Sequence, residues 1–443
     1  MKAALAANLL YFPVTRLAGE RIRSYLAEYR ANDQLTPAAL REKQSLALRQ
    51  IIDHAGRSTG HYRRTIAKRT GEFPSDFPEL DGIEPVTKAM LRDSPEAFVS
   101  SEAPGRHERK TTSGSTGHPL TVLKNRDALA RERAATWRAY GWAGIQVAAP
   151  QGFLWGMPHS SSGRLRARLL DFLANRRRLS MFGVNDADFA RFHDQLMSFR
   201  PDYLYGYVSA LTEFMRFLGD TGRQLPPSVR CLVTTSEVLD ATSRDLLERS
   251  SGLRVFNEYG CGEVGSIAHE CEQGQLHVMG DNLVLECVPA PDLPDGLGEL
   301  VVTDLHNIAM PLLRYRLGDL GRISGAPCSC GRPYPVMETI VGRAYDTIVG
   351  ISGRKYHPES VMYVFEDLRK AGISLPPFQA VQGRDGQLDV YFETGSTSVD
   401  GIAATVTEHI AKAFNRDLVA HVGHVDRLSR EPSGKLRVVK RTA

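Results

Sequence analysis

The chain has 443 residues, of which 42% are hydrophobic and 24% charged, with a net charge of +4. That length gives room for roughly two or three domains and a sizeable core. So small a charge argues against nucleic acid or a membrane surface as partner. Six cysteines in so long a chain argue against a secreted disulfide scaffold, and a reducing cytoplasm is the expected compartment.

The opening "MKAALAANLLYFPVTRLAGE" is broken by Asn8 and Pro13 and lacks a clear small-residue cleavage site, which speaks against a signal peptide. No stretch approaches the roughly twenty apolar residues of a bilayer span. The first hundred residues read as helical. In "PAALREKQSLALRQIIDHAGRS", Leu40, Ala47, Leu48 and Ile51 recur at helical spacing, and Gly56 is expected to end the helix. "LTVLKN" then reads as a strand and "DALARERAATWRAYGWAG" as a helix stopped by glycine.

From about Pro201 strands alternate with helices: "DYLYGY", "LTEFMRFLGDTG", "VRCLVTTSE", "DATSRDLLERSSG", "LRVFNEYG". That order predicts a largely parallel, helix-covered sheet. "NLVLECVP", "GELVVTDL" and "GRISG" predict a β-rich subdomain, placed at about 266–335. The last hundred residues read α-β-β-α-β, a compact α+β lid. The fold class is therefore α/β: a large N-terminal domain over 1–341 with helix-covered mixed sheets, and a small mobile C-terminal domain over 342–443.

"TTSGSTGHP" at 111–119 makes a poor helix and a poor central strand. Its backbone N–H groups and hydroxyls suit a polyphosphate, yet no Gly-Lys-Ser/Thr follows, so it is not a Walker loop. Read alone it is equally a polar surface turn. Three further segments follow in order: "NEYGCGEVG" at 257–265, "PLLRYRLGDLG" at 311–321 and "EPSGKLR" at 431–437. Together the four resemble the adenylate-forming (ANL) enzymes, in the phenylacetate–CoA ligase-like and CapK-like branch. "RQIIDHAGRSTGHYRR", "EPVTKAMLR", "LYGYVSAL", "LVTTSEVL" and "VGRAYDTIVGISGRKYHPESV" extend the likeness over nearly the whole chain.

The resemblance implies ATP-dependent activation of a carboxylic acid, first an aryl or arylacetic one, as an acyl-adenylate, then transfer to CoA. It puts the nucleotide against Thr112, Ser113, Gly114, Ser115, Thr116, Gly117, Glu237, Tyr259, Gly260, Asp319 and Arg343. Thr116, Glu263 and Lys435 carry the chemistry: Glu263 holds Mg²⁺, and Lys435 bridges the substrate carboxylate and the α-phosphate. Asp319 accepts from both ribose hydroxyls, and Tyr259 packs near the adenine. Because Lys435 would crowd the second nucleophile, the lid should rotate about 343–346 between steps. Gly262 and Tyr345 depart from the family pattern, at a hydroxyl facing the α-phosphate and at the hinge. An amine, a carrier-protein thiol or a hydroxyl remains open as acceptor, as does a non-catalytic nucleotide-binding relative. The expected partners are small molecules, with a homodimer left open.

Cys271, His277, Cys328 and Cys330 offer three thiolates and an imidazole to Zn²⁺, with His269 competing as fourth ligand and buried free thiols as the other reading. Some members of the branch show this pattern as a structural zinc site. Cys231 and Cys287, inside strand-like runs, are expected in the core. "GRLRARLLDFLANRRR", with six arginines between Arg164 and Arg178, reads as a solvated helix face or a dock for CoA phosphates. Trp155, Tyr205 and Tyr207 are expected either in the core or lining an acyl pocket. Nothing places His159.

Overall fold

The computed structural model describes residues 3–69, 73–105, 107–112, 120–155, 168, 170–181, 184–239, 241–289, 296–341, 348–356, 358–373, 375–376, 378–383, 387–393, 400–428 and 439–441. They fall into two compact units, one taking the described residues of 1–112, 120–149 and 256–343, the other those of 150–255 and 344–443. Among the described residues no helix is long and apolar enough to cross a membrane.

The first unit opens with α1 (Ala3–Ala6), α2 (Phe12–Leu17), α3 (Ile22–Asn32), α4 (Pro37–Ser58) and α5 (Gly60–Ile66). Pro37 at the first turn and the Thr36 hydroxyl, which accepts from Ala39 N, start α4. The helix runs past Gly56 to Ser58. It ends there because Thr59 turns to extended backbone and its hydroxyl caps α5 through Tyr62 N. A side-chain cap, not the glycine, stops this helix. Leu40, Leu48 and Ile51 are buried, as their spacing predicts.

After α6 (Lys88–Asp93), the strands β1 (His107–Thr112) and β2 (Leu120–Asn125) pair antiparallel, and α7 (Arg126–Trp142) follows directly. β7 (Arg254–Cys261), β8 (Gly265–Glu270), β9 (Leu276–Val278), β10 (Leu283–Pro289), β11 (Gly298–Asp304), β12 (Tyr315–Ser324) and β13 (Val336–Val341) form an antiparallel run in the order β10-β11-β12-β13-β9-β8-β7. The β-rich region thus begins before the expected 266 and ends after 335. Cys287 lies on the edge strand β10 and is only half-buried, with its thiol on Gly321 O, whereas Cys231 is buried.

The second unit carries β3 (Gln151–Trp155), β4 (Arg176–Ser180), β5 (Tyr203–Tyr207) and β6 (Cys231–Thr235), parallel in the order β6-β5-β3-β4. The helices α8 (Asp186–Phe199), α9 (Val208–Thr221) and α10 (Ala241–Ser251) join its elements. This is the parallel sheet the alternation predicted. Arg176–Arg178 are not on a helix face: they open the edge strand β4, where the Asp171 carboxylate takes both Arg176 and Arg178. A hairpin, β14 (Ile348–Val349) with β15 (Lys355–Tyr356), precedes α11 (Pro358–Lys370), β16 (Phe378–Gln382), β17 (Leu388–Glu393), α12 (Asp400–Ala413), β18 (Ala420–Val425) and β19 (Val439–Arg441). The four longer strands order as β18-β17-β16-β19 around a separate core that includes Phe365, Phe378, Phe392 and Phe414.

Arg314 joins distant parts of the first unit. Its backbone is left-handed (φ 50°) and the residue is buried. Its guanidinium meets both oxygens of Glu286 (3.1 and 3.2 Å) and donates to the carbonyls of Phe73, Pro74 and Ile83. That fork geometry anchors the irregular 73–86 segment over β10 and β12. Arg314→Met should lower unfolding free energy by about 3–5 kcal/mol, because it strands a buried carboxylate. The check is the urea midpoint, and adding Glu286→Gln should restore part of the loss.

Candidate functional site

Glu263 sits in the three-residue connection between β7 and β8. Two glycines permit that tight return. A Cβ on Gly260 would lie 2.5 Å from Gly265 O. Gly265 has φ +102°, and a Cβ there would lie 2.3 Å from the Glu132 carboxyl carbon. Although it stands at a hairpin tip, Glu263 is buried. Its Oε1 accepts from Lys88 Nζ (3.0 Å) and the Tyr315 hydroxyl (3.2 Å). Burial pushes this carboxyl up, but the Lys88 ammonium, aided by Tyr315, holds it below the usual range.

Backbone pairing brings these partners in. Val86 N donates to Arg314 O and Arg316 N to Val86 O, both at 2.9 Å, so the strand-like residue before α6 lies along the start of β12. The Thr87 hydroxyl then caps α6 through Met90 N, which sets Lys88 in its first turn. Farther along β12, Asp319 Oδ2 accepts from the Tyr259 hydroxyl of β7 at 2.8 Å.

A buried ammonium braces the hairpin that leads into residues 113–119. Lys124 Nζ reaches Glu132 Oε2 (3.1 Å), Asp304 Oδ2 (3.3 Å) and the carbonyl of Val264 (2.5 Å), next to Glu263. Lys110 of β1 takes the other Glu132 oxygen at 2.6 Å. Burial pushes the Glu132 carboxyl up, yet Lys124 and Lys110 together bring it from 4.5 down to about 2.

A second cluster gathers Cys271, His277, Cys328 and Cys330, whose donor atoms all lie within 4.8 Å of one another. Cys271 and Cys328 sulfurs are 3.9 Å apart, and Cys330 Sγ is 3.2 Å from His277 Nε2. His277 Nδ1 is 2.9 Å from Tyr334 O, which leaves Nε2 toward the thiols. Backbone N–H groups of Gln273 and Cys330 point at the sulfurs of Cys271 and Cys328. Three sulfurs and one imidazole, with no carboxylate, are a donor set that fits a closed tetrahedral zinc site. His269 takes no part, because its Nε2 is 2.5 Å from the Ser266 hydroxyl.

No family model matches the chain. Over 381 residues it is 28% identical to the phenylacetate-coenzyme A ligase of Escherichia coli K12, covering 81% of this chain and 83% of that protein. Over 366 residues it is 27% identical to the phenylacetate-coenzyme A ligase of Thermus thermophilus, covering 79% and 80%. Protein CapK of Staphylococcus aureus is 22% identical over 269 residues, 59% of this chain and 58% of the relative. Among solved structures, a 2-hydroxyisobutyryl-CoA ligase in complex with 2-HIB-AMP and CoA shares the fold, with TM-score 0.62, 18% identity, and 93% and 91% of the two chains covered.

Over about four-fifths of its length the chain is similar to phenylacetate-coenzyme A ligases.

In this chain the first unit brings Glu263, Tyr259, Gly260 and Asp319 onto one antiparallel run. Glu237 lies in the second unit, where its two oxygens accept from the backbone N–H (2.6 Å) and hydroxyl (2.7 Å) of Ser209 in the first turn of α9. Thr112 is the last residue of β1, paired with Leu120. Ser113, Gly114, Ser115, Thr116, Gly117, His159, Arg343, Tyr345 and Lys435 lie outside the described residues. Trp155, Tyr205 and Tyr207 form a stacked ladder with Phe153 on β3 and β5; Trp155 and Tyr207 rings are 4.2 Å apart.

Lys88, Tyr315, Lys124 and Arg314 were not singled out from the sequence. Lys124 carried a readable signal, since in β2 it shares the inward alternation of Leu120 and Val122. A lysine in that register must find buried acids. Lys88 and Tyr315 carried none, because their meeting depends on a long-range bridge.

A carboxyl depressed in the folded state stabilises above its unfolded pKa, and that contribution is lost as pH falls toward the folded value. Glu132→Gln should therefore cost more stability at pH 7 than at pH 3, read from urea midpoints at the two values.

Proposed function

We propose that the chain activates an organic carboxylic acid with ATP and passes the acyl group to the thiol of CoA. The substrate carboxylate oxygen attacks the α-phosphorus, the bond to pyrophosphate breaks, and acyl-adenylate forms. The CoA thiol then attacks the acyl carbonyl, its proton is lost to solvent or base, and AMP leaves. The observation that carries this reading is the likeness to phenylacetate-coenzyme A ligases along about four-fifths of the chain.

The candidate residues, described and undescribed, each take a part in that chemistry. Glu263 is buried and kept ionised, so it would hold Mg²⁺, which supplies positive charge beside the phosphates. Asp319, oriented by the Tyr259 hydroxyl, would receive the ribose hydroxyls. The 112–117 loop would bind the β- and γ-phosphates and Arg343 the ribose or phosphate. Lys435 would neutralise charge built up in the in-line attack. The 342–443 segment would act as the lid, turning about 343–346 between steps. The aromatic ladder of Trp155, Tyr205 and Tyr207 favours an aryl or arylacetic acid. Cys271, His277, Cys328 and Cys330 would hold a structural Zn²⁺.

Pyrophosphate exchange over a panel of acids tests the first step, and product masses with CoA, amines or hydroxyl acceptors test the second. Acyl-CoA and AMP are expected. Product formed only with another acceptor would move the reading to that acceptor. ATP binding without exchange on any acid would favour a non-catalytic relative. Lys435→Ala should abolish acyl-adenylate formation while transfer from supplied acyl-adenylate continues. Metal analysis of the purified protein should find about one zinc per chain, and Cys328→Ser should lose it together with thermal stability.

A further inference from the structure

Residues 3–17 form one continuous helix, made of α1, a π turn over Ala7–Tyr11 and α2, with helical backbone at the junctions Ala6 and Phe12. Its faces are reversed relative to an ordinary surface helix. The inner face is small: Ala3, Ala6 and Ala7 are buried, and Tyr11 and Phe12 pack beside them on the core shared with α3 and α7. The Tyr11 hydroxyl accepts from Trp137 Nε1 at 2.9 Å. The outer face is large and apolar. Leu5, Leu9, Val14 and Leu17 are 52%, 68%, 39% and 90% exposed. Steps of four and three residues keep to one face of an α-helix. The step of five from Leu9 to Val14 does the same across the π turn, which takes up an extra residue. Four of the eleven large apolar side chains exposed among the described residues therefore share this stripe. One such side chain alone needs no explanation, but a stripe of them points to something that covers it.

The charges beside the stripe are cationic. Residues 1–19 contain Lys2 and Arg16 and no acid. Arg16 is exposed next to Leu17, and the exposed Arg23 brings its guanidinium to 5.5 Å from the Phe12 ring centroid, against the same helix. Two neighbouring carboxylates are already taken. Glu20, just beyond the helix, has a side chain only 1% exposed and lies between Arg126 and Arg133. Asp127 is held by Arg21 and Arg131. The net charge of +4, averaged over the whole chain, conceals this local imbalance. A second copy of the same surface would set Arg16 and Arg23 against like charges, with no carboxylate among residues 3–19 to receive them. An anionic bilayer accepts both parts: the apolar side chains below its headgroups and the guanidiniums among its phosphates.

We propose that the outer face of helix 3–17 is a docking surface for an anionic lipid bilayer. The helix lies in the plane of the interface, with Leu5, Leu9, Val14 and Leu17 inserted and Arg16 and Arg23 on lipid phosphates. Docking of this kind depends on buried apolar area and on attraction to anionic lipid, and substitution separates the two. The inference is independent of the reading of the activity, since docking is expected whether or not the chain forms acyl-adenylate.

Co-sedimentation of the full chain with lipid vesicles is the test. The chain should pellet with phosphatidylcholine vesicles that contain about one-third phosphatidylglycerol and stay in solution with phosphatidylcholine alone. The bound fraction should fall between about 0.1 M and about 1 M salt. Leu9→Glu combined with Leu17→Glu should stop the pelleting and leave the urea midpoint unchanged, because both side chains are exposed. Arg16→Gln combined with Arg23→Gln should weaken binding at least about tenfold. Leu17→Trp keeps the site apolar, and its emission, compared with that of the unaltered chain, should move to shorter wavelength when anionic vesicles are added. If the leucine pair lowers the urea midpoint, the Leu17→Trp result decides. The proposal is overturned by an unaltered chain that stays in solution, by equal pelleting with neutral vesicles, by undiminished pelleting of a folded leucine pair, or by no emission shift in Leu17→Trp. Light scattering that finds a dimer which the leucine pair turns into a monomer also overturns it, since the face then belongs to a second copy.

Discussion

The fully buried ammonium of Lys124 is the constraint on which the candidate nucleotide site depends. A lone charge sealed from water is costly. Lys124 is tolerable because three acceptors from three directions converge on it: Glu132 of α7, Asp304 at the end of β11, and the backbone carbonyl of Val264. Glu132 is also held by Lys110, and Asp304 by the backbone N–H groups of His306 and Asn307. The result fastens the β1–β2 hairpin, which leads into residues 113–119, to the turn that carries Glu263. Gly265 belongs to the same arrangement, since any side chain there would enter the space of the Glu132 carboxylate.

Around this brace the unit repeats one solution. Arg314 takes Glu286 and three carbonyls of an irregular segment, and the backbone of that segment then pairs with β12. That pairing delivers Lys88 to Glu263. Buried charges are paired with geometry specific enough to fix register, and the register positions the groups that the chemistry would use. The Cys/His cluster follows a related logic with softer donors. The β9–β13 pairing sets Val336 opposite His277 and so brings the Cys328–Cys330 turn to the imidazole.

The two units differ in kind. The parallel strands of the second unit end in aromatic side chains and in Ser209, which is tied to Glu237. Among the described residues, the C-terminal segment, with its own phenylalanine core, meets this region through one arginine and a small cavity rather than through a continuous apolar face. A contact built from a few polar bonds is the kind that forms and breaks as a piece. That would suit the rotation proposed for this segment.

Helix and strand periodicity, a local property, determined most elements from the sequence alone. The alternating β/α pattern named the parallel sheet, and the inward alternation of Leu120, Val122 and Lys124 is written in the order of the residues themselves. The spacing of Cys271, His277, Cys328 and Cys330 marked a cluster, because thiols and imidazoles in loops have few other reasons to recur so closely. Local spacing failed where a side chain or a distant strand decided the matter. Thr59 rather than Gly56 ends α4, and Arg176–Arg178 became an edge strand once Asp171 and β3 were there to receive them. His277 rather than His269 joins the thiols because Ser266 takes the other ring. The pairing of Lys88 with Glu263 lies 175 residues apart in sequence and could come only from the tertiary fold. A charge's partner is chosen by where the backbone hydrogen bonds bring it, and a linear pattern does not record that choice.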